Sequence, residues 1–91
     1  MLFEWDENKN RSNFQKHGIN FDEAAKVFSD DQKITYEDAR KNYGEKRQIT
    51  IGDLNGIIIS TVVHTDRSGK IRIISARPAN RKERGLYYGN S

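Results

Sequence analysis

The stretch from residue 48 to residue 77 carries the pattern that most limits how this chain folds. Gln48-Ile49-Thr50-Ile51 alternates polar and apolar, Ile57 to His64 is rich in β-branched residues, and Lys70 to Arg77 returns with the same texture. Such side chains are stiff and pack well on a pleated surface, so the segments read as three strands. Asn55-Gly56 is a type I′ hairpin signal, and Asp66 to Gly69 makes the next turn. Three strands joined in this way form an antiparallel meander. Apolar residues of both parities in Ile57–Val63 predict a middle strand covered on both faces.

In a chain of 91 residues the cover comes from the flanks. Leu2-Phe3-Glu4-Trp5 reads as a short strand, with Asp6 placed to cap a helix that begins at Glu7. From Glu7 to His17 only Phe14 is apolar, so core packing drives this helix weakly, and Gly18 supplies a left-handed stop. Asn20 and Glu23 form a capping box, and Phe21, Ala24, Ala25 and Phe28 give the second helix one apolar face. Ile34 and Tyr36 alternate as in an edge strand. Pro78 bars further ladder bonding, and Asn80 with Glu83 repeats the capping-box spacing to open a last short helix, which Gly85 weakens. The predicted architecture is α+β in a single domain, residues 1–91: an N-terminal strand and two helices on a three- to four-stranded antiparallel sheet, then a short C-terminal helix.

Composition excludes several classes. With no cysteine there is no disulfide scaffold, thiol nucleophile or cysteine zinc site. The two histidines are far apart, no HxxxH pair or DxD loop occurs, and no resident metal or other cofactor is expected. The acidic start MLFEWDEN does not resemble a signal peptide, and the longest apolar run is Ile57-Ile58-Ile59, so a soluble, cytoplasmic protein with no membrane partner is expected.

Charge is distributed unevenly. Residues 1–45 hold 7 Lys and Arg against 10 Asp and Glu, whereas residues 46–91 hold 9 against 3. The second half therefore suits a polyanion, nucleic acid first, although scattered cations also keep a small protein in solution. Arg72 and Arg77 sit among apolar neighbours on the last strand, a setting that calls for a carboxylate or a phosphate. By simple alternation they point to opposite faces unless the strand bulges between them. His64 ends the middle strand, and one register would set it near Arg72, where an imidazole could move protons. Lys9, Asn13 and Lys16 form one stripe of the polar helix, open to phosphate or simply to water. Glu83 among Arg81, Lys82 and Arg84 is either a general base or a helix cap, and the cap suffices.

FEWDENKNRSNFQKHGINF at 3–21, YGEKR at 43–47 and HTDRSGKIRIISARPANRKER at 64–84 resemble the BrnT toxins of bacterial type II toxin–antitoxin systems, over essentially the whole chain. The resemblance implies a RelE-like fold, an RNA-degrading activity that halts translation, and a hetero-oligomer with a cognate BrnA-like, DNA-binding antitoxin. The positions that match are Lys9, Asn13, Lys16, His17, Gly18, Glu45, Arg47, Arg67, Arg72, Ser75, Arg77, Glu83 and Arg84. Pro78 and Gly85 depart from the pattern and trim the C-terminal basic helix.

The resulting expectation is a metal-independent endoribonuclease. The RNA 2′-OH attacks the adjacent phosphate, Arg72 and Arg77 stabilise the charge that builds, and His64, Glu45 or a tyrosine accepts the proton. Lys9, Lys16, Arg47, Arg67, Arg81 and Arg84 hold the RNA backbone. Two other readings stand beside it: a non-catalytic RNA- or ribosome-binding module, and an inactive toxin homologue that only seats its antitoxin.

Overall fold

A computed structural model describes residues 1–40 and 44–89. Tyr43 of the YGEKR segment lies outside the described residues. The elements are β1 (Phe3–Glu4), α1 (Glu7–His17), α2 (Phe21–Ala24) continuing as a 3₁₀ turn (Ala25–Ser29), β2 (Ile34–Glu37), β3 (Gln48–Asp53), β4 (Ile59–Arg67), β5 (Lys70–Pro78) and α3 (Arg81–Gly89). The α+β class is the one expected. The sheet is larger than expected, with five strands in the order β1-β5-β4-β3-β2. The additional pairing comes from the N-terminus: Phe3 and Glu4 lie parallel to Ile71 and Arg72, and the Ile71 amide donates to the Leu2 carbonyl at 2.8 Å.

Local signals set the helix ends. The Asp6 carboxylate accepts from the Asn8 and Lys9 amides, and Gly18, at φ 72°, donates to the Phe14 carbonyl at 2.8 Å. The Asn80–Glu83 box closes in both directions, Glu83 N–H to Asn80 Oδ1 at 2.8 Å and Asn80 N–H to Glu83 Oε1 at 2.9 Å. With that box in place, α3 runs through Gly85 to Gly89.

Both turns differ from expectation, and β4 continues past His64 through Asp66 to Arg67. At Asn55-Gly56 only Gly56 has positive φ, and the Asn55 side chain accepts from the Ile57 and Ile58 amides, which holds a wider loop and delays β4 to Ile59. The two-residue turn with positive φ at both positions is Ser68-Gly69, between the paired Arg67 and Lys70.

Helices cover both faces of the sheet. Ile19, Phe21, Ala24, Val27 and Phe28 pack with Val62, Ile73 and Ala76 on one face. Ala79 and Tyr87, flanking and within α3, pack with Ile49, Ile51, Ile59 and Val63 on the other. The middle strand is therefore buried on both sides, as its composition predicts. Helix α1 contributes little apolar surface: Phe14 is 51% exposed, and the buried residue of the helix is Asn13. Among the described residues no helix is long and apolar enough to cross a membrane.

Candidate active site and nucleic-acid interface

Strand β5 carries the feature on which the site turns. Val63 pairs with Ser75 and His64 with Ile73, which leaves Ile74 as an extra residue, a β-bulge. Facing reverses across it. Before the bulge Ile71 and Ile73 point to the α1–α2 side; after it Ala76 does. Arg72, Ser75 and Arg77 consequently share the opposite face, the one that α3 partly covers. Arg47, two residues before Ile49, and Arg67, two after Thr65, belong to the same face.

Each of these arginines has a carboxylate. Arg77 meets Glu83 through two parallel bonds of 2.7 and 2.8 Å. Glu83 Oε1 also accepts from the Thr61 hydroxyl at 3.0 Å and from the Asn80 amide. Burial pushes the Glu83 carboxyl up, but the bonds from Arg77, the Asn80 amide and Thr61 outweigh it and hold the group down at about 2. The Glu83 side chain is 10% exposed and that of Arg77 34%, so the carboxylate is buried while part of the arginine side chain reaches solvent. Arg72 pairs with Glu4 at 2.8 Å. Glu45 lies between Arg47, at 3.6 Å, and Arg67, at 3.5 Å.

The register that would set His64 beside Arg72 does not occur, because the bulge pairs His64 with Ile73 and Arg72 with Thr65. His64 faces the α1–α2 layer instead. Its ring meets Phe28 edge-on at 4.9 Å, and its Nε2 bonds the Thr50 hydroxyl at 2.7 Å, which in turn bonds Thr35 at 2.8 Å. At 4% exposed, with burial pulling its pKa down to about 4, His64 is a neutral interior group on the far side of the sheet from Arg72 and Arg77.

Lys9 and Lys16 open onto a hollow of about 210 Å³ between α1 and the edge of β5, lined also by Ser12, His17, Ile74 and Ser75. Among the described residues no carboxylate lines it. Asn13, in the same stripe, turns inward: its amide donates to the Ile19 and Ala76 carbonyls at 2.9 and 2.7 Å and accepts from the Ala76 N–H at 3.1 Å. It is a structural group. Because Ser75 belongs both to the arginine face and to this hollow, the two basic surfaces adjoin around the edge of β5. On α3, Arg81 is exposed, and Arg84 donates to the Ala79 carbonyl at 2.8 Å. Glu83 is a cap and an arginine anchor at once. Among the described residues no group of three His, Asp or Glu side chains gathers as a metal-binding cluster.

The residue that spacing alone did not single out for the site is Tyr36. It stands on the arginine face of edge strand β2 opposite Ile49, in a cleft with α3. The alternation of Ile34 and Tyr36 was the available signal for its facing.

Comparison with known proteins identifies a family and a similar solved structure. Residues 5–83 match the family profile described as the ribonuclease toxin, BrnT, of type II toxin–antitoxin systems. Among solved structures, the chain is similar to the 1.1 Å crystal structure of the Brucella abortus ribonuclease toxin, BrnT, with TM-score 0.65 and 27% identity; the match covers 89% of this chain and 100% of that one. No curated protein sequence matches.

Proposed function

The chain belongs to the BrnT family, the ribonuclease toxins of type II toxin–antitoxin systems, and from that premise we propose that its arginine face is the RNA-cleaving surface. The observation that carries this reading is the bulge at Ile74, which brings Arg72 and Arg77 to one side of the sheet. In this reading RNA lies across β3–β5, and Lys9 and Lys16 hold its backbone around the strand edge. Arg47, Arg67, Arg81 and Arg84 add phosphate contacts. The 2′-OH attacks its neighbouring phosphate in line and without a metal ion. Arg77, held by Glu83 and partly exposed, meets the charge that develops on the phosphorane oxygens, and Arg72 assists. Because Glu83 and Glu4 fix these guanidiniums in advance, little reorganisation is needed as the charge appears. Glu45, between Arg47 and Arg67, is the proton acceptor; His64 is not, because the sheet separates it from the arginines.

The protein acts as a single domain over residues 1–91 in the cytoplasm, where RNA cleavage halts translation. A BrnA-like, DNA-binding antitoxin silences it in a hetero-oligomer by covering the arginine face. The test is incubation of purified wild-type protein, Arg72→Ala and Arg77→Ala with total RNA, with and without a chelator. Wild-type cleavage in both conditions and loss in the variants is the expected result; undiminished cleavage by both variants overturns the assignment. The closed pairs Arg72–Glu4 and Arg77–Glu83 favour a second reading, a non-catalytic RNA- or ribosome-binding module. Salt-sensitive RNA binding with no cleavage at all by the wild type would select it.

A further inference from the structure

Edge strand β2 and helix α3 enclose a cleft of about 450 Å³, lined by Ile34, Tyr36, Asn80, Lys82, Glu83 and Leu86. This is within the size range of pockets that hold small organic groups. Tyr36 is 39% exposed and Leu86 48%, so an aromatic ring and an aliphatic side chain are offered to solvent across a gap instead of being packed together. The charges of Arg77 and Glu83 act on the Tyr36 phenol, which places it within electrostatic reach of that pair.

We propose that this cleft is a nucleobase subsite, in which Tyr36 stacks on a base flanking the phosphate that Arg77 holds while Ile34 and Leu86 flank its edges and Lys82 meets the next phosphate. The inference rests on the arginine face being the RNA surface. Three features favour an RNA base over a protein segment. Among the described residues the wall holds one aromatic ring, which every base can stack on. The carboxylate in the cleft is neutralised by Arg77, so Lys82 leaves the rim positive, as a phosphodiester backbone requires. The cleft also shares Glu83 with Arg77, so nucleotides adjoining the phosphate held there reach it. Stacking accepts any base, and the subsite therefore supplies affinity and alignment more than sequence choice.

The probe is a short oligonucleotide with 2′-deoxy substitution throughout, which binds but lacks the attacking hydroxyl. Binding to the full chain is followed by NMR at the Ile34 and Leu86 methyls and the Tyr36 ring, and RNA cleavage is measured in parallel. The proposal expects ring-current shifts at these three residues. It also expects about tenfold weaker binding and a matching rise in KM for Tyr36→Ala, the scale of one lost base–aromatic stack. Tyr36→Phe keeps the ring and should restore the binding that Tyr36→Ala loses. Shifts confined to other surfaces, or wild-type affinity in Tyr36→Ala with its fold verified by circular dichroism, overturn the subsite. So does a Tyr36→Phe defect equal to that of Tyr36→Ala, since the hydroxyl would then be the operative group. Loss of antitoxin binding in Tyr36→Ala with RNA binding intact assigns the cleft to the protein partner and also overturns it. A wild type that shows these shifts yet cleaves no RNA removes the nuclease reading and leaves the subsite standing, so the two failures are told apart.

Discussion

Asn13 closes the open edge of β5 as a neighbouring strand would: its side-chain amide accepts from the Ala76 N–H at 3.1 Å and donates to the Ala76 carbonyl at 2.7 Å. Strand β1 pairs with Ile71 and Arg72, and among the described residues no strand covers the rest of that edge. A buried peptide group without partners is expensive, and here one side chain supplies both. The same amide bonds the Ile19 carbonyl and so ties α1, the loop after it and β5 into one unit.

Asn13→Ala should therefore destabilise the fold by more than an ordinary surface change. It strands three backbone groups, each worth about 1–3 kcal/mol when buried and unpaired. Urea unfolding is expected to show a loss of at least about 2 kcal/mol, with an unchanged m-value.

Glu83→Gln should lower both stability and RNA cleavage. The Glu83 carboxyl is held at about 2 against an ordinary value of 4.5, so the folded state favours its ionised form. Its contribution is complete above about pH 5 and is lost as pH falls from 4.5 toward 2, where the folded protein also takes up the proton. Stability measured from pH 7 to pH 3 should fall less steeply in the variant than in the wild type. In the same variant Arg77 loses an anionic anchor, and kcat should drop by more than KM changes.

The opposite end of the acid range reports His64. Burial lowers its pKa from 6.5 to about 4, so between these values the unfolded chain binds a proton that the folded chain refuses. Stability should decline as pH falls from 6.5 to 4, by about 2 kcal/mol between pH 7 and pH 5. His64→Gln should flatten that decline in chemical denaturation, while RNA cleavage by the folded variant stays within about threefold of wild type.

Gly52→Ala tests how closely the 3₁₀ turn sits on the sheet. A Cβ there would lie 3.0 Å from the Val27 carbonyl oxygen and 3.1 Å from Val27 Cβ. Both belong to a tightly buried element, so the substitution should cost about 1–3 kcal/mol by overpacking. Thermal denaturation checks it, and an unchanged Tm would show that the 3₁₀ turn yields.

How much of the candidate site could be read from sequence varies residue by residue. The Asn80–Glu83 spacing identified a cap, and the cap is there, because capping depends on residues three apart in the chain. Lys9 and Lys16 were identified as a stripe by helical periodicity and do share a hollow. Asn13 has the same periodicity but an interior role, because the backbone that it satisfies lies 63 residues away. His64 looked suitable for chemistry because its residue type is. Its environment is set by Thr50 and Phe28, which arrive from β3 and the 3₁₀ turn.

What the sequence determined by itself is whatever short-range sterics and periodicity encode: three strands with a buried middle one, the helix caps at Asp6, Gly18 and Asn80, and an arginine-rich second half. Tertiary structure decided which face each arginine occupies. Parity alone sets Arg72 and Arg77 on opposite sides of β5, and only the pairing of that strand with β4 leaves Ile74 without a partner and turns the two guanidiniums to the same side. A bulge is a property of two strands in register, so a single strand's residues do not specify it.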